Sequence, residues 1–477
     1  MKVLHTVIAF LVLLVLGGVL YYLNQQPKKE SEGAIPKKEL FGFQAGDVQE
    51  FTIEMPEEPT ATFRRLAEAA AKEPEAEGGS ETSNNARWEI VSPEGIAADS
   101  MLIQSFLDEL PKLERIPLDG QTPASLAEYG LDQPQKVFHF KLKQGQPVTL
   151  SIGGENPSGY AKYGMLDSAP GIFLLDSPET RALEKTLFDL RDKRALPVDF
   201  DKAERLELDL NQVSSPAEPG LPAQSRKIEM TKLPNGNWEL TQPKVRTDHG
   251  NTNYFVTVLT GALMKSVEAE KAGSLAQYGL DRPQIRLDVT THAGTHSLLV
   301  GKLKGGVGAG AVYYAKNSVW PHVFTINQST YDQLTQDLDS YRDRYLFGFQ
   351  ASEVRRLEIQ GPEGEMRFEK RGQEWVKMGE PGAKGNVSTV DAFLIDVHAV
   401  RVQQYITDQP GRFAEYGLDK PWMKIKVTFG EDNQEETVLF ARKDKRFYAA
   451  RQGEPSVYEM RTDEAESLEP KLKDLAG

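Results

Sequence analysis

Tyr129–Pro134 reads YGLDQP, Tyr278–Pro283 reads YGLDRP and Tyr416–Pro421 reads YGLDKP. One hexapeptide pattern thus occurs three times, at spacings of 149 and 138 residues. That period is the length of a whole domain, not of a short solenoid unit, so the chain reads as three tandem copies of one module. Its 477 residues lead independently to the same count, at about 150 residues per domain.

Immediately before the hexapeptide stand SLAE, SLAQ and RFAE, each one turn of good helix formers. The glycine falls where such a turn must stop. Gly130, Gly279 and Gly417 are therefore expected in the left-handed conformation that ends a helix. Leu131, Leu280 and Leu418 would supply the accompanying hydrophobic contact, and Pro134, Pro283 and Pro421 would prevent continuation. Asp132, Asp281 and Asp419 suit the turn by accepting local backbone hydrogen bonds. This structural reading is preferred to one in which Tyr129, Tyr278, Tyr416 and the aspartates face a ligand.

Outward from the hexapeptide, further segments recur. LFGFQAGDV at Leu40–Val48 returns as LFGFQASEV at Leu346–Val354, and both run into apolar alternations typical of half-buried strands, FTIEM and LEIQG. The middle copy opens in degenerate form around Phe200. A tryptophan segment follows in each copy, around Trp88, Trp238 and Trp375, and reads as the next strand of a meander. Then comes a helix whose apolar face carries Leu102, Phe106, Leu110 and Leu113 in copy one, Phe255, Val258, Leu259 and Leu263 in copy two, and Val390, Phe393, Leu394, Val397 and Val400 in copy three. Strand-like runs such as VFHFKL, VTLSIG, IRLDVT and HVFTI lie beyond the hexapeptide. Each copy closes with one more helical stripe: Leu183, Leu187, Leu190; Leu334, Leu338, Tyr341; Leu468, Leu472, Leu475. Ser177 and Pro178 read as its N-cap and first residue in copy one.

The order of strands, helix, turn, several strands and closing helix predicts an α+β fold, a mainly antiparallel sheet with helices on one side, repeated three times. Module boundaries are expected at residues 40–198, 199–345 and 346–477. An Ala/Glu/Lys-rich insertion at 64–86 in the first module reads as a mobile loop.

Before the modules, Val3–Leu23 is almost wholly apolar, and as a helix it would extend about 31 Å, close to the hydrocarbon thickness of a bilayer. Residues 1–23 are expected to form a transmembrane anchor and 24–39 a linker. A cleaved signal peptide is the competing reading, but NQQPKKESEG after the apolar run lacks a small-residue cleavage pattern. Lys28, Lys29, Lys37 and Lys38 would by count keep the modules inside, whereas a short basic N-terminus before an apolar run is the form of a signal anchor. The modules are expected on the periplasmic side of a bacterial inner membrane. The net charge of −14, from 56 basic and 70 acidic residues, argues against nucleic acid as a partner. The absence of cysteine excludes disulfides, thiolate catalysis and a lipidated cysteine.

No catalytic pattern stands out. His292 and His296 in THAGTH are close in sequence but fall in what reads as a hairpin turn, without the helix and third ligand of a zinc site. Gly301–Gly310, GKLKGGVGAG, precedes a strand pattern, not the helix N-terminus that a phosphate cradle needs. RDKR at Arg191–Arg194 and RDR at Arg342–Arg344 read as solvated or salt-bridged module joints. No GxSxG elbow occurs. No catalytic residue, cofactor or metal is expected.

The N-terminal anchor, the LFGFQA-type opening and YGLDxP within modules of about 150 residues together resemble the bacterial domain-of-unknown-function family numbered 4340. The resemblance covers nearly all of residues 40–477, in three copies. It implies an envelope protein encoded beside ABC transporter permeases and auxiliary subunits of the gliding-motility type, and carries over no catalytic residue. The expectation is a non-catalytic membrane-anchored periplasmic accessory or scaffold of an ABC-type transporter complex. A glycan-, peptidoglycan- or lipid-binding module is the alternative, and an envelope hydrolase a lesser one.

Overall fold

The computed structural model describes residues 36–67, 86–118, 125–213, 224–379 and 387–476. The expected anchor at Val3–Leu23 lies outside them. Among the described residues no helix is long and apolar enough to cross a membrane.

Two compact units divide the chain between Asp192 and Lys193. The first holds one nine-stranded sheet, and the second holds two eight-stranded sheets. All three are antiparallel throughout, and helices accompany each, so the fold is α+β. In the second repeat the spatial order is Trp238–Gln242, Gln224–Lys232, Ala203–Val213, Ile285–Thr291, Gly294–Gly305, Val312–Asn317, Val323–Asn327, Ser266–Ala269. The third repeat has the same order, from Glu374–Lys377 at one edge to Val402–Thr407 at the other. The first repeat adds a two-residue strand, Lys38–Glu39, outside Glu114–Pro117. Two meanders thus meet at the opening strand, and the segment preceding the hexapeptide returns to the far edge.

Strand alternation explains the layers. In Val354–Gly361, Leu357 and Ile359 face the core, while Arg356 and Glu358 point the other way toward Glu369 (3.3 Å) and Arg367 (3.9 Å). On the core side of that sheet lie Val390, Phe393, Leu394 and Val397 from helix Val387–Ala399, with Leu468, Leu472 and Leu475 from helix Thr462–Ala476. Burying a Leu- or Phe-sized side chain stabilises by about 1.5–3 kcal/mol, which is why tertiary packing holds helices of this length.

Several expectations change in detail. The tryptophan strand is third in its meander, after Glu58–Arg65, Gln224–Lys232 or Gly364–Arg371. The last of these, GEMRFEKR, buries only Met366 and Phe368, so its apolar signal is thin. Arg64 and Arg65, assigned to the insertion, belong to a strand, and Arg65 pairs with Trp88. Residues 68–85 of that insertion lie outside the described residues.

In copy one, Asp99 caps the helix by accepting from the N–H groups of Met101 and Leu102, and this sets a phase that buries Ile103, Phe106 and Leu107 and exposes Leu102. In copy two the helix ends at Thr260, so Leu263 falls in extended chain, where burial alternates: Ala262 and Met264 are buried and Leu263 is exposed.

The closing stripe is one helix only in the third repeat. In the first, Thr186 starts a separate turn, Leu187–Leu190, through a reciprocal capping box with Asp189. In the second, Gln328–Leu334 is followed by a separate 3-10 turn at Leu338–Tyr341. The N-cap in copy one is Asp176, one residue before the expected Ser177; its carboxylate pairs with Lys37 at 2.9 Å.

Candidate functional site

The hexapeptide stands once in each repeat. Each copy ends a 3-10 helix: Leu126–Tyr129, Ala276–Tyr278 and Pro410–Tyr416. Gly130, Gly279 and Gly417 follow with φ of 64°, 69° and 76°. Two backbone bonds close each turn. Leu131 donates to Leu126 (3.0 Å) and Gly130 to Ala127 (3.1 Å); Leu280 donates to Leu275 (3.1 Å) and Gly279 to Ala276 (3.0 Å); Leu418 donates to Phe413 (3.1 Å) and Gly417 to Ala414 (3.2 Å). This is the paired pattern of a Schellman cap, and Leu131, Leu280 and Leu418 are buried beside it.

Asp132, Asp281 and Asp419 are exposed and, among the described residues, accept no hydrogen bond. Backbone geometry closes the turn without them. Pro134, Pro283 and Pro421 are half-buried.

What the turn does is cover the sheet. In the third repeat Leu418 joins Ala441, Tyr448, Ala450 and Val457 in a small cluster distinct from the helix-side core. The neighbours Val438, Phe440, Phe447 and Ala449 belong to the helix-side core, so the two clusters occupy opposite faces of the same strands. In all three copies the motif tyrosine packs on a strand tyrosine: Tyr129 on Tyr163 (4.8 Å between centroids), Tyr278 on Tyr314 (5.0 Å) and Tyr416 on Tyr448 (5.1 Å). YGLDxP is a strap that seals one end of the outer sheet face.

The rest of that face is polar and largely self-paired. In the second repeat Arg205 contacts Glu207 (2.9 Å) and Glu229 (2.8 Å), Lys227 contacts the same two carboxylates, and Arg286 contacts Asp288 (2.8 Å). The hydrogen bond from Lys227 chiefly holds Glu229 below the usual carboxylate range. These exposed pairs are each worth little in stability; among the described residues they make this part of the second repeat's sheet face charged, not aromatic.

Convergent buried chemistry occurs instead at the junction of repeats two and three, within the second compact unit. Arg342, almost fully buried, forks onto Asp408: Nη1 donates to Oδ1 at 2.9 Å and Nη2 to Oδ2 at 2.5 Å. Ser456 Oγ donates to the same Oδ1 at 2.7 Å. The guanidinium also lies 4.7 Å from the Tyr405 ring centroid, and burial is the main reason the Tyr405 phenol is pushed up. Nearby, Arg451 donates to the carbonyls of Leu346 (3.1 Å), Asp343 (2.8 Å) and Tyr345, and contacts Glu454 at 2.9 Å. Arg246 of repeat two pairs with Glu436 of repeat three, whose other oxygen accepts the Gly348 N–H at 2.8 Å.

The connecting segment is strand-like on both sides. Arg342 bridges Thr247, and Asp343 N–H donates to Arg246 O (3.0 Å); then Val402 N–H donates to Arg344 O (2.8 Å), and Tyr345 bridges Arg401. Of the two forms expected for the RDR joint, solvated or salt-bridged, Arg342 takes the salt-bridged one. In RDKR, Arg191 is equally buried and bridges Ala98 within the first unit. Lys193–Val198, expected at the end of the first module, lies in the second unit: Met264 N–H donates to Lys193 O (2.7 Å), Ala195 N–H to Ala262 O (2.8 Å), and Asn317 Nδ2 to Ala195 O (3.0 Å).

His292 occupies the turn before Gly294–Gly305 and His296 lies within that strand; no group of three metal-ligating side chains occurs among the described residues. Gly301 and Gly305 are strand residues, and Gly306, Gly308 and Gly310 lie in the link to the next strand. No sequence pattern singles out Asp408, Ser456, Arg246 or Glu436; only RDR at Arg342–Arg344 marks their neighbourhood.

No curated protein and no solved structure matches the chain. A family profile, that of a domain of unknown function (DUF4340), matches three times, over residues 88–261, 238–410 and 375–476. These matches together run without a gap from the tryptophan strand of the first repeat to the closing helix of the third. With three such copies, the chain belongs to the DUF4340 family.

Proposed function

We propose that this chain is a non-catalytic accessory or scaffold protein, anchored by Val3–Leu23 in a bacterial inner membrane with its modules in the periplasm, and that it associates with an ABC-type transporter of the gliding-motility auxiliary type. The observation that carries the scaffold reading is the junction of repeats two and three. There the connecting chain is held by a single backbone bridge on each side, and two ion pairs, Arg342–Asp408 with its guanidinium buried and the half-buried Arg246–Glu436, join two copies of one module. Such a pair presents surfaces at a fixed separation, which is what an assembly platform requires. The apolar N-terminal segment supports the anchor, and the family resemblance supports the transporter context.

The polar, self-paired sheet faces weigh against the alternative of a glycan or lipid platform, which would favour clustered exposed aromatics. The test is to solubilise membranes in mild detergent, capture the full-length chain and identify what accompanies it. Transporter permease or auxiliary subunits are expected in the eluate. Recovery of the chain alone, with those subunits present in the starting membranes, would overturn the proposal.

A further inference from the structure

Family membership says nothing about whether the modules act singly. Within the second unit the joint has three parts that use residues from both repeats. The segment Arg342–Tyr345 is extended chain shared between Thr247 of one repeat and Arg401 of the other. Arg342 delivers a buried guanidinium to Asp408 and, through it, to Ser456. Arg246 reaches Glu436 past Gly348, where even a Cβ would stand 2.9 Å from the guanidinium. Opening the joint would deprive Arg342, whose exposure is 4%, of the Asp408 carboxylate on which it forks. Breaking a buried pair by removing one partner is far costlier than losing a surface pair.

We propose that repeats two and three form one cooperative folding unit, latched by Arg342–Asp408–Ser456 and Arg246–Glu436–Gly348, so that neither repeat opens globally without the other. Its consequence is that a surface built across these two repeats is held in a single geometry, and damage in one repeat is felt in its neighbour. The inference does not depend on the scaffold reading: the latch holds or fails whatever the chain binds.

Hydrogen exchange on the full-length chain tests it, because amides released only by global opening report the free energy of the unit that contains them. Phe393→Leu perturbs the core of repeat three alone, with Ile359→Val as the milder substitute should the first fail to fold. In the otherwise unaltered chain, the slowest amides of Ile285–Thr291 and Val323–Asn327 in repeat two should accelerate by the same factor as those of Met423–Phe429 in repeat three, on the order of 10-fold. In a chain carrying Asp408→Ala and Glu436→Ala, the same core substitution should accelerate repeat three only. Unchanged exchange in repeat two of the otherwise unaltered chain would overturn the proposal. So would coupling that persists undiminished after the two carboxylates are removed.

Discussion

Gly153 lies so close beneath the carbonyl oxygen of Tyr129 that a Cβ added there would stand 2.3 Å from it. Gly301 holds the same relation to Tyr278, at 2.2 Å. The first two straps therefore rest on strand positions fitted too closely for a side chain. Gly153→Ala and Gly301→Ala are each expected to destabilise by about 1–3 kcal/mol, the usual cost of overpacking a fitted contact. Chemical denaturation followed by exchange in the affected repeat measures it. The third copy has Ala441 at this position, so Ala441→Gly should cost less than either; an equal or larger loss would contradict the strap geometry.

The three motif glycines share a left-handed backbone but differ in what a methyl group would meet. Gly130 would meet the Gly154 nitrogen at 2.9 Å, Gly279 the Lys302 nitrogen at 3.1 Å, and Gly417 only the Ala441 side chain at 3.6 Å. All three alanine variants pay about 1 kcal/mol for the backbone conformation. Contact then adds most for Gly130→Ala and least for Gly417→Ala. Melting curves of the three single variants should fall in that order, and a uniform loss would mean that the strand beneath makes no difference.

Much of this fold was legible because its signals are local. The glycine stop in YGLDxP needs only one turn of helix formers before it and a proline after it, and the helix faces of the third repeat follow from a 3.6-residue period. Leu102 and Leu263 depart from the apolar pattern because a cap and a helix end set the phase there. The second strand of each meander was missed because most of its residues face solvent. At the joint, Arg342 and Asp408 lie 66 residues apart in sequence and Arg246 and Glu436 lie 190 apart. Among 70 acidic side chains no local pattern distinguishes the two that are used.

His398 brings a pH dependence to the same joint. Its ring stacks near Tyr345 (5.1 Å) and Phe349 (5.5 Å), while Arg401, Asp343 and Glu436 are the charged groups that act on it. Burial first, and the Arg401 charge second, hold its pKa below the ordinary value of 6.5. The unfolded chain therefore takes up this proton at higher pH than the folded one. Stability is full above about pH 6.5 and falls as the pH drops from there through the depressed folded value, after which this contribution changes no further. His398→Phe should flatten that part of the stability profile. An unchanged slope between pH 7 and 5 would assign the dependence to other groups.

The Arg342–Asp408 pair is the sharpest test of what holds the joint. Asp408→Ala leaves a buried guanidinium with Asp339 as its remaining carboxylate, at 3.4 Å from Nε. Loss of one partner from a buried pair typically costs about 3–5 kcal/mol. Because the Asp408 side chain keeps 34% of its exposure, water can partly replace the carboxylate, and about 2 kcal/mol is the better expectation. Asp408→Asn retains an acceptor oxygen and should lose less. Replacing both partners, as Arg342→Met with Asp408→Leu, removes the desolvation cost together with the attraction and should recover much of the loss. A double-mutant cycle on Arg342 and Asp408, read by chemical denaturation, should give a coupling of about 1.5–3 kcal/mol. Coupling near zero would mean that the backbone bridges at Thr247 and Arg401, not the buried charges, carry the connection between the two repeats.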